Sequence, residues 1–149
     1  MCWRRRTGYA PAECGDTVTV AEKMDRVGKK ILATGNGRCN LMNTGAPRYP
    51  GNAAFAADVL SRCGAEAQKA FWEHLGLRLR QEEAGRVYPV SSQASSVLDA
   101  LRLQLTALHV RVVTGVSITA LQRENDGWTA LSADGQQFRA NRVIISGGG

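Results

Sequence analysis

The chain has 149 residues, 44% of them hydrophobic and 21% charged, with a formal net charge of +6. That length supports one domain whose core hides roughly two thirds of the extended surface, and it excludes two substantial domains. No apolar run reaches the ~20 residues that span a bilayer, and the basic opening MCWRRRTGYAPAEC has no apolar signal core, so the expected compartment is the cytoplasm.

In chain order, Thr17–Ala21 (TVTVA) reads as a short buried strand fed by the turn Gly15–Asp16. The stretch that follows, EKMDRVGKKILATGNGRCN, sets an acid at the strand's end and then a basic, glycine-rich loop in which Lys29–Ala33 makes at most a short helical turn. Asn52 caps a predicted helix over Ala53–Arg62 with the apolar stripe Phe55, Ala56, Val59 and Leu60. A second helix, Ala65–Leu75, stops at Gly76, and Leu77 and Leu79 suit a short half-exposed strand before the segment Glu82–Pro89. Ser91 or Ser92 starts the strongest helix, in which Ala94, Val97, Leu98, Leu101, Leu105 and Leu108 share one face.

Val110–Thr114 is a compact strand, and helix followed directly by strand is the second half of a βαβ crossover. Ile118–Arg123, Trp128–Ser132 and Gln136–Ala140 read as a meander turned at Asp126–Gly127 and Asp134–Gly135. Arg142–Ser146 reads as a last strand running into three glycines.

The order strand, acid, glycine-rich basic loop is what a nucleotide cofactor's ribose and pyrophosphate require. At the carboxyl end of a strand in an open α/β sheet, Glu22 can accept the hydrogen bonds of ribose hydroxyls; the plainer role is a surface charge paired with Lys23 or Arg26. The G-x-G-x-x-G expected about 20 residues earlier is not present. Arg26, Lys29 and Lys30, with the amides around Gly28, can hold a pyrophosphate, or form an ordinary solvated loop. Gly35, Asn36, Gly37, Arg38, Cys39 and Asn40 concentrate hydrogen-bonding groups with little apolar content.

Cys39 would need a depressed pKa and a basic partner to be a nucleophile, and none can be assigned, so it reads as a packing or cofactor-adjacent cysteine. Asp99 and Glu124 read as solvated charges, and no catalytic residue is assigned. Trp72 and Trp128 read as packing residues. Arg86, Tyr88, Ser91, Ser92 and Gln93 form a second polar cluster where a helix N-terminus can take a phosphate or simply be capped. Cys2, Cys14, Cys39 and Cys63, with His74 and His109, are too dispersed for a metal site. The scattered cations suit anionic small ligands better than nucleic acid, which would call for aromatic interleaving.

The segment EKMDRVGKKILATGNGRCNLMN resembles the signature of bacterial NAD(P)/FAD-dependent oxidoreductases of the aminoacetone oxidase or BaiN-like type, the HI0933-like flavoproteins. GRVYPVSSQASSVLDALR resembles their second signature, and RVIISGGG the strand-plus-glycine run of two-dinucleotide-binding flavoproteins. The similarity runs from about Asp16 to Gly149. It implies an α/β fold, a partial Rossmann-like FAD-binding domain with a small antiparallel meander inserted. Residues 1–15 would be an atypical N-terminal segment, and 16–149 the partial domain, without the first strand, its glycine-rich turn and the later substrate domain.

By the same resemblance the cofactor is FAD. Glu22 falls on the adenosine ribose, Lys29 and Lys30 beside the dinucleotide, and Gly35, Asn36, Gly37, Arg38, Cys39 and Asn40 along it. Gln93, with Ser91 and Ala94, falls near the cofactor or the domain junction, and Gly147 and Gly148 approach the flavin nucleotide. The implied electron partner is a nicotinamide or oxygen, and the implied substrate a small molecule, with no nucleic acid or membrane involved. The alternative reading is an inactive remnant whose open sheet edges call for the missing portions of the parent domain.

Overall fold

The computed structural model describes residues 12, 15–46 and 49–147. Cys2, Cys14 and Gly148, named above, lie outside them. The described chain divides into two compact units, one continuous over Gly28–Ala107 and one that joins residues 15–27 to residues 108–147.

The continuous unit begins at Gly28, whose φ of 72° lets the backbone turn into a 3-10 segment, Lys29–Gly37. A Cβ at Gly28 would lie 2.4 Å from Leu98 Cδ1, so the missing side chain is what lets this segment pack closely. The helical part is the expected short turn over Lys29–Ala33, and the segment is broken where Thr34 turns extended and Gly35 and Asn36 turn left-handed. Three strands follow in the order β2-β4-β3, all antiparallel: β2 Met42–Asn43, β3 Leu79–Gln81 and β4 Arg86–Pro89. The central strand buries Val87, Tyr88 and Pro89, and pairs Met42 with Val87 on one side and Arg80 with Tyr88 on the other.

Helices α1 Ala53–Arg62, α2 Ala65–His74 and α3 Ala94–Ala107 match the periodic segments closely. Asn52 Oδ1 accepts the Phe55 amide at 2.9 Å, the N-cap its residue type favours. Gly76, at φ 82°, ends the turn after α2 by donating its amide to the Glu73 carbonyl. The predicted stripe of α1 is only half realised: Ala56 and Leu60 are partly buried, whereas Phe55 is 65% exposed and Val59 is also exposed. Residues with helical period form the helix, but its outer apolar positions stay exposed among the described residues.

The core gathers Cys39, Leu77, Ala94 and Val97, with Ile31, Leu41, Trp72, Leu79, Ala100 and Leu101 packed around them. Val97, 1% exposed, is its most enclosed side chain. Trp72 also meets Phe71 edge to face at 5.0 Å, which fits the packing role expected of it.

In the second unit β1 (Thr19–Glu22) runs parallel to β5 (Arg111–Thr114), with Glu22 opposite Thr114. The pairing follows the βαβ expectation, with β1 shifted one or two residues beyond Thr17–Ala21. Strands β6 Ile118–Glu124, β7 Gly127–Ser132 and β8 Gln137–Ala140 form the expected meander, with an irregularity between Ile118 and Ala120. The first hairpin turns at Asn125–Asp126, so that Gly127 already pairs with Glu124. A Cβ on Gly127 would lie 2.6 Å from the Ala140 carbonyl oxygen, which explains a glycine inside this strand.

Residues 142–146 are not a strand. Their apolar pattern is right, but a strand exists only through a hydrogen-bonded neighbour, and no described strand pairs with them. Ile145 is 78% exposed as a result.

Candidate functional site

The candidate residues fall on both units: Glu22 and Gly147 on the second, the lysines, the glycine-rich loop and Gln93 on the first.

Glu22 closes β1 at its carboxyl end. Its Oε1 accepts the Met24 amide at 2.8 Å, and its carbonyl accepts the Val116 amide at 2.9 Å. The side chain is therefore held by the backbone of its own turn, partly buried, at the position where a parallel sheet presents acceptors to a ligand. Met24 and Gly115 tie the same turn to the end of β5 through a 2.9 Å backbone bond. Gly147 has no atom within 4 Å of where a Cβ would stand.

In the first unit Lys29 and Lys30 open the 3-10 segment, both exposed. The end of that segment and the residues just after it have an unusual backbone. Gly35, Asn36, Gly37 and Cys39 all have positive φ, at 54°, 52°, 80° and 58°, while Arg38 between them is right-handed. Two backbone bonds of 3.0 Å close the turn, from the Arg38 amide to the Gly35 carbonyl and from the Cys39 amide to the Thr34 carbonyl. A Cβ on Gly35 would sit 2.8 Å from the Asn40 backbone nitrogen, so glycine is required there on two counts. At Gly37 the nearest atom would be 3.9 Å away, and only the dihedral asks for glycine. Left-handed conformations in Asn36 and Cys39 cost of order 1 kcal/mol each, and are held where the surroundings dictate them.

The side chains of this loop divide. Cys39, 6% exposed, packs into the core, in line with the packing role and not with a nucleophile. Asn36 and Asn40 are exposed. Arg38 is anchored: its Nη2 donates to Glu82 Oε1, and its guanidinium lies 4.1 Å from the centre of the buried Tyr88 ring. Such stacking contributes roughly 0.5–1 kcal/mol. Glu82 also accepts from Arg80 at 2.7 Å, and Arg80 donates to Ser92 Oγ at 2.9 Å. The two guanidinium groups hold the Glu82 carboxyl below its ordinary range, the hydrogen bond from Arg38 being the largest cause.

The second polar cluster is thereby joined to the first. Ser92 is left-handed at φ 53°, Ser91 Oγ accepts the Gln93 amide at 3.3 Å, and Gln93 stands exposed immediately before α3. Sequence reasoning missed Glu82, which lies 44 residues from Arg38 with no local spacing to mark it.

Among the described residues there is no group of three His, Cys, Asp or Glu arranged to hold a metal, and no helix long and apolar enough to cross a membrane. An open depression of about 640 Å³ in the second unit is lined by Glu124, Trp128, Thr129, Arg139 and Asn141 among others, and contains none of the candidate residues.

Residues 7–149 match the model of the HI0933-like protein Rossmann domain. The chain belongs to this family. As an HI0933-like Rossmann domain it is 43% identical over 135 residues to the 3-dehydro-bile acid delta(4,6)-reductase of Clostridium scindens, a match covering 89% of this chain and 32% of that protein. It is 23% identical to the ribosomal RNA dihydrouridine synthase of Haemophilus influenzae, over 93% of this chain and 36% of the relative. The chain thus spans about a third of the length of the curated relatives it matches. Solved structures similar to this Rossmann domain include the Diels-Alderase PyrE3 of pyrroindomycin biosynthesis, at 17% identity and TM-score 0.44, covering 89% of this chain and 27% of that one. Another is NikD, an unusual amino acid oxidase of nikkomycin biosynthesis, at 15% identity and TM-score 0.45, covering 92% and 46%.

Proposed function

We propose that this HI0933-like domain is the dinucleotide-binding part of an FAD-dependent oxidoreductase. The observation that carries the reading is Glu22, fixed by the Met24 amide at the carboxyl end of a parallel strand, where a carboxylate meets ribose hydroxyls. The groups on each unit suit the dinucleotide chemically: on one the Glu22 carboxylate for the ribose, on the other Lys29 and Lys30 for the pyrophosphate and the glycine-dependent loop Gly35–Asn40. Gln93, Gly147 and Gly148 complete the proposed contacts. When bound, the flavin supplies the hydride chemistry, exchanging electrons with a nicotinamide or oxygen and with a small organic substrate. This chain's residues bind and orient it; none is assigned a proton-transfer role. The 43% identity to a reductase supports reduction as the direction of the parent enzyme's chemistry, and the cytoplasm is its proposed compartment.

A second reading, a chain that binds no cofactor by itself, is favoured by one observation: among the described residues β1 pairs with β5 alone, while the apolar residues 142–146 pair with nothing described. In that reading the partner is the remainder of a flavoprotein domain, which supplies further strands.

Visible absorbance of the purified chain, before and after FAD is added and the free cofactor removed, tests both. Flavin retained stoichiometrically supports the first reading, with E22Q expected to weaken retention about tenfold. A colourless chain that gains flavin only when a complementary polypeptide is supplied supports the second and overturns independent binding.

A further inference from the structure

We propose that Glu82 is the positioning residue of the Gly35–Asn40 loop, and that it couples this loop to the turn before α3. The inference deepens the cofactor reading above and rests on it for its functional meaning. It is carried by a geometry that no sequence spacing shows. One carboxylate oxygen accepts both from Arg38, on the loop, and from Arg80, on β3, and Arg80 reaches on to Ser92 Oγ beside Gln93. The loop, 44 residues away, is therefore joined to the turn before α3 through the Glu82–Arg80 pair.

The loop needs such a device. Its backbone holds left-handed residues at positions 35, 36, 37 and 39, and it lies exposed except for Cys39 and the partly covered Arg38. Tyr88 offers Arg38 a flat face, which fixes the height of the guanidinium but leaves it free to slide; Glu82 supplies the in-plane partner that stops the slide. Exposed ion pairs contribute little to global stability, so the main effect of this network is on where the loop sits, with only a small part in whether the unit folds. Arg38 consequently serves the loop as a tether.

The test compares amide hydrogen exchange in the full chain for wild type, E82Q and E82D. E82Q, equal in size but uncharged, is expected to speed exchange of the Arg38 and Cys39 amides about tenfold while the Leu75 and Leu77 amides stay unchanged. E82D, which keeps the charge, is expected to restore much of the protection. FAD titration by flavin fluorescence should show E82Q binding about fivefold more weakly than wild type. Unchanged exchange at Arg38 and Cys39 would overturn the proposal, as would acceleration shared equally by Leu75 and Leu77. If wild type binds no FAD, the cofactor reading fails while the exchange comparison still decides the positioning role.

Discussion

Alanine at Gly35 and at Gly37 should have sharply different costs, although the two glycines are separated by one residue and both have positive φ. The common part is the left-handed dihedral, about 1–2 kcal/mol for an L-residue, offset in part by about 0.4–1 kcal/mol of lost freedom in the unfolded chain. G37A, whose Cβ would meet its nearest neighbour at an ordinary 3.9 Å, should therefore cost about 1 kcal/mol. G35A adds a methyl 2.8 Å from the Asn40 backbone nitrogen, an atom that cannot swing aside. The turn must open, loosening the two 3.0 Å bonds that close it, at about 1 kcal/mol each.

The expected total for G35A is about 3 kcal/mol, and the difference between the variants about 2 kcal/mol. Equilibrium urea unfolding reads this as midpoints separated by roughly 1 M for a typical slope. The comparison cancels the dihedral and entropy contributions, which are the least certain in size. Equal midpoints would refute the argument that close backbone approach, rather than φ alone, requires glycine at position 35.

V97A removes two carbons from the most enclosed core side chain, and should cost about 2 kcal/mol in the same unfolding assay. N52A deletes the cap on α1 and should cost about 1 kcal/mol, most of it recovered by N52S; equal losses in the two variants would mean that the Phe55 amide gains nothing from its acceptor. Glu82 and Asp134 are both held below their ordinary values near 4.5 and 3.8, Asp134 chiefly by the Ser132 hydroxyl and the Gln136 side chain. A depressed folded-state pKa contributes stability that is fully present above the ordinary value and disappears as pH falls through the lowered one. The urea midpoint is therefore expected to lose these two contributions only below about pH 4.5, and the loss should shrink in E82Q and D134N.

Local order was the most legible part of this sequence. The helices Ala53–Arg62, Ala65–His74 and Ala94–Ala107 follow from apolar period and capping residues, and the meander from its Asn, Asp and Gly turns. That β5 enters a parallel pair was legible too, because a helix leading straight into a β-branched run has few other uses, although its partner β1 was not. Strands that depend on distant partners were harder. Met42–Asn43 is only two residues long, and Arg86–Pro89 carries a proline that argues against the central position it occupies. Arg142–Ser146 fails in the opposite sense, having a strand's composition without a neighbour.

The glycine-rich loop announced itself by composition, yet what fixes it did not. Cys39 could be read as a packing residue, whereas the clamp on Arg38 by Glu82 and Tyr88 arises from tertiary contacts that no local pattern encodes.

Cys39 and Cys63 are both buried in the Gly28–Ala107 unit and neither is disulfide-bonded. A thiol hidden from solvent reacts with an alkylating reagent only while its surroundings are open, so each sulfur is a clock for local opening. One clock belongs to the left-handed loop and the other to the junction between α1 and α2. Each cysteine directly follows an arginine, Arg38 or Arg62, so tryptic cleavage places each at the head of its own peptide. The chain thus carries, without any engineered probe, a pair of internal timers that rank how often its loop opens against how often its helices part.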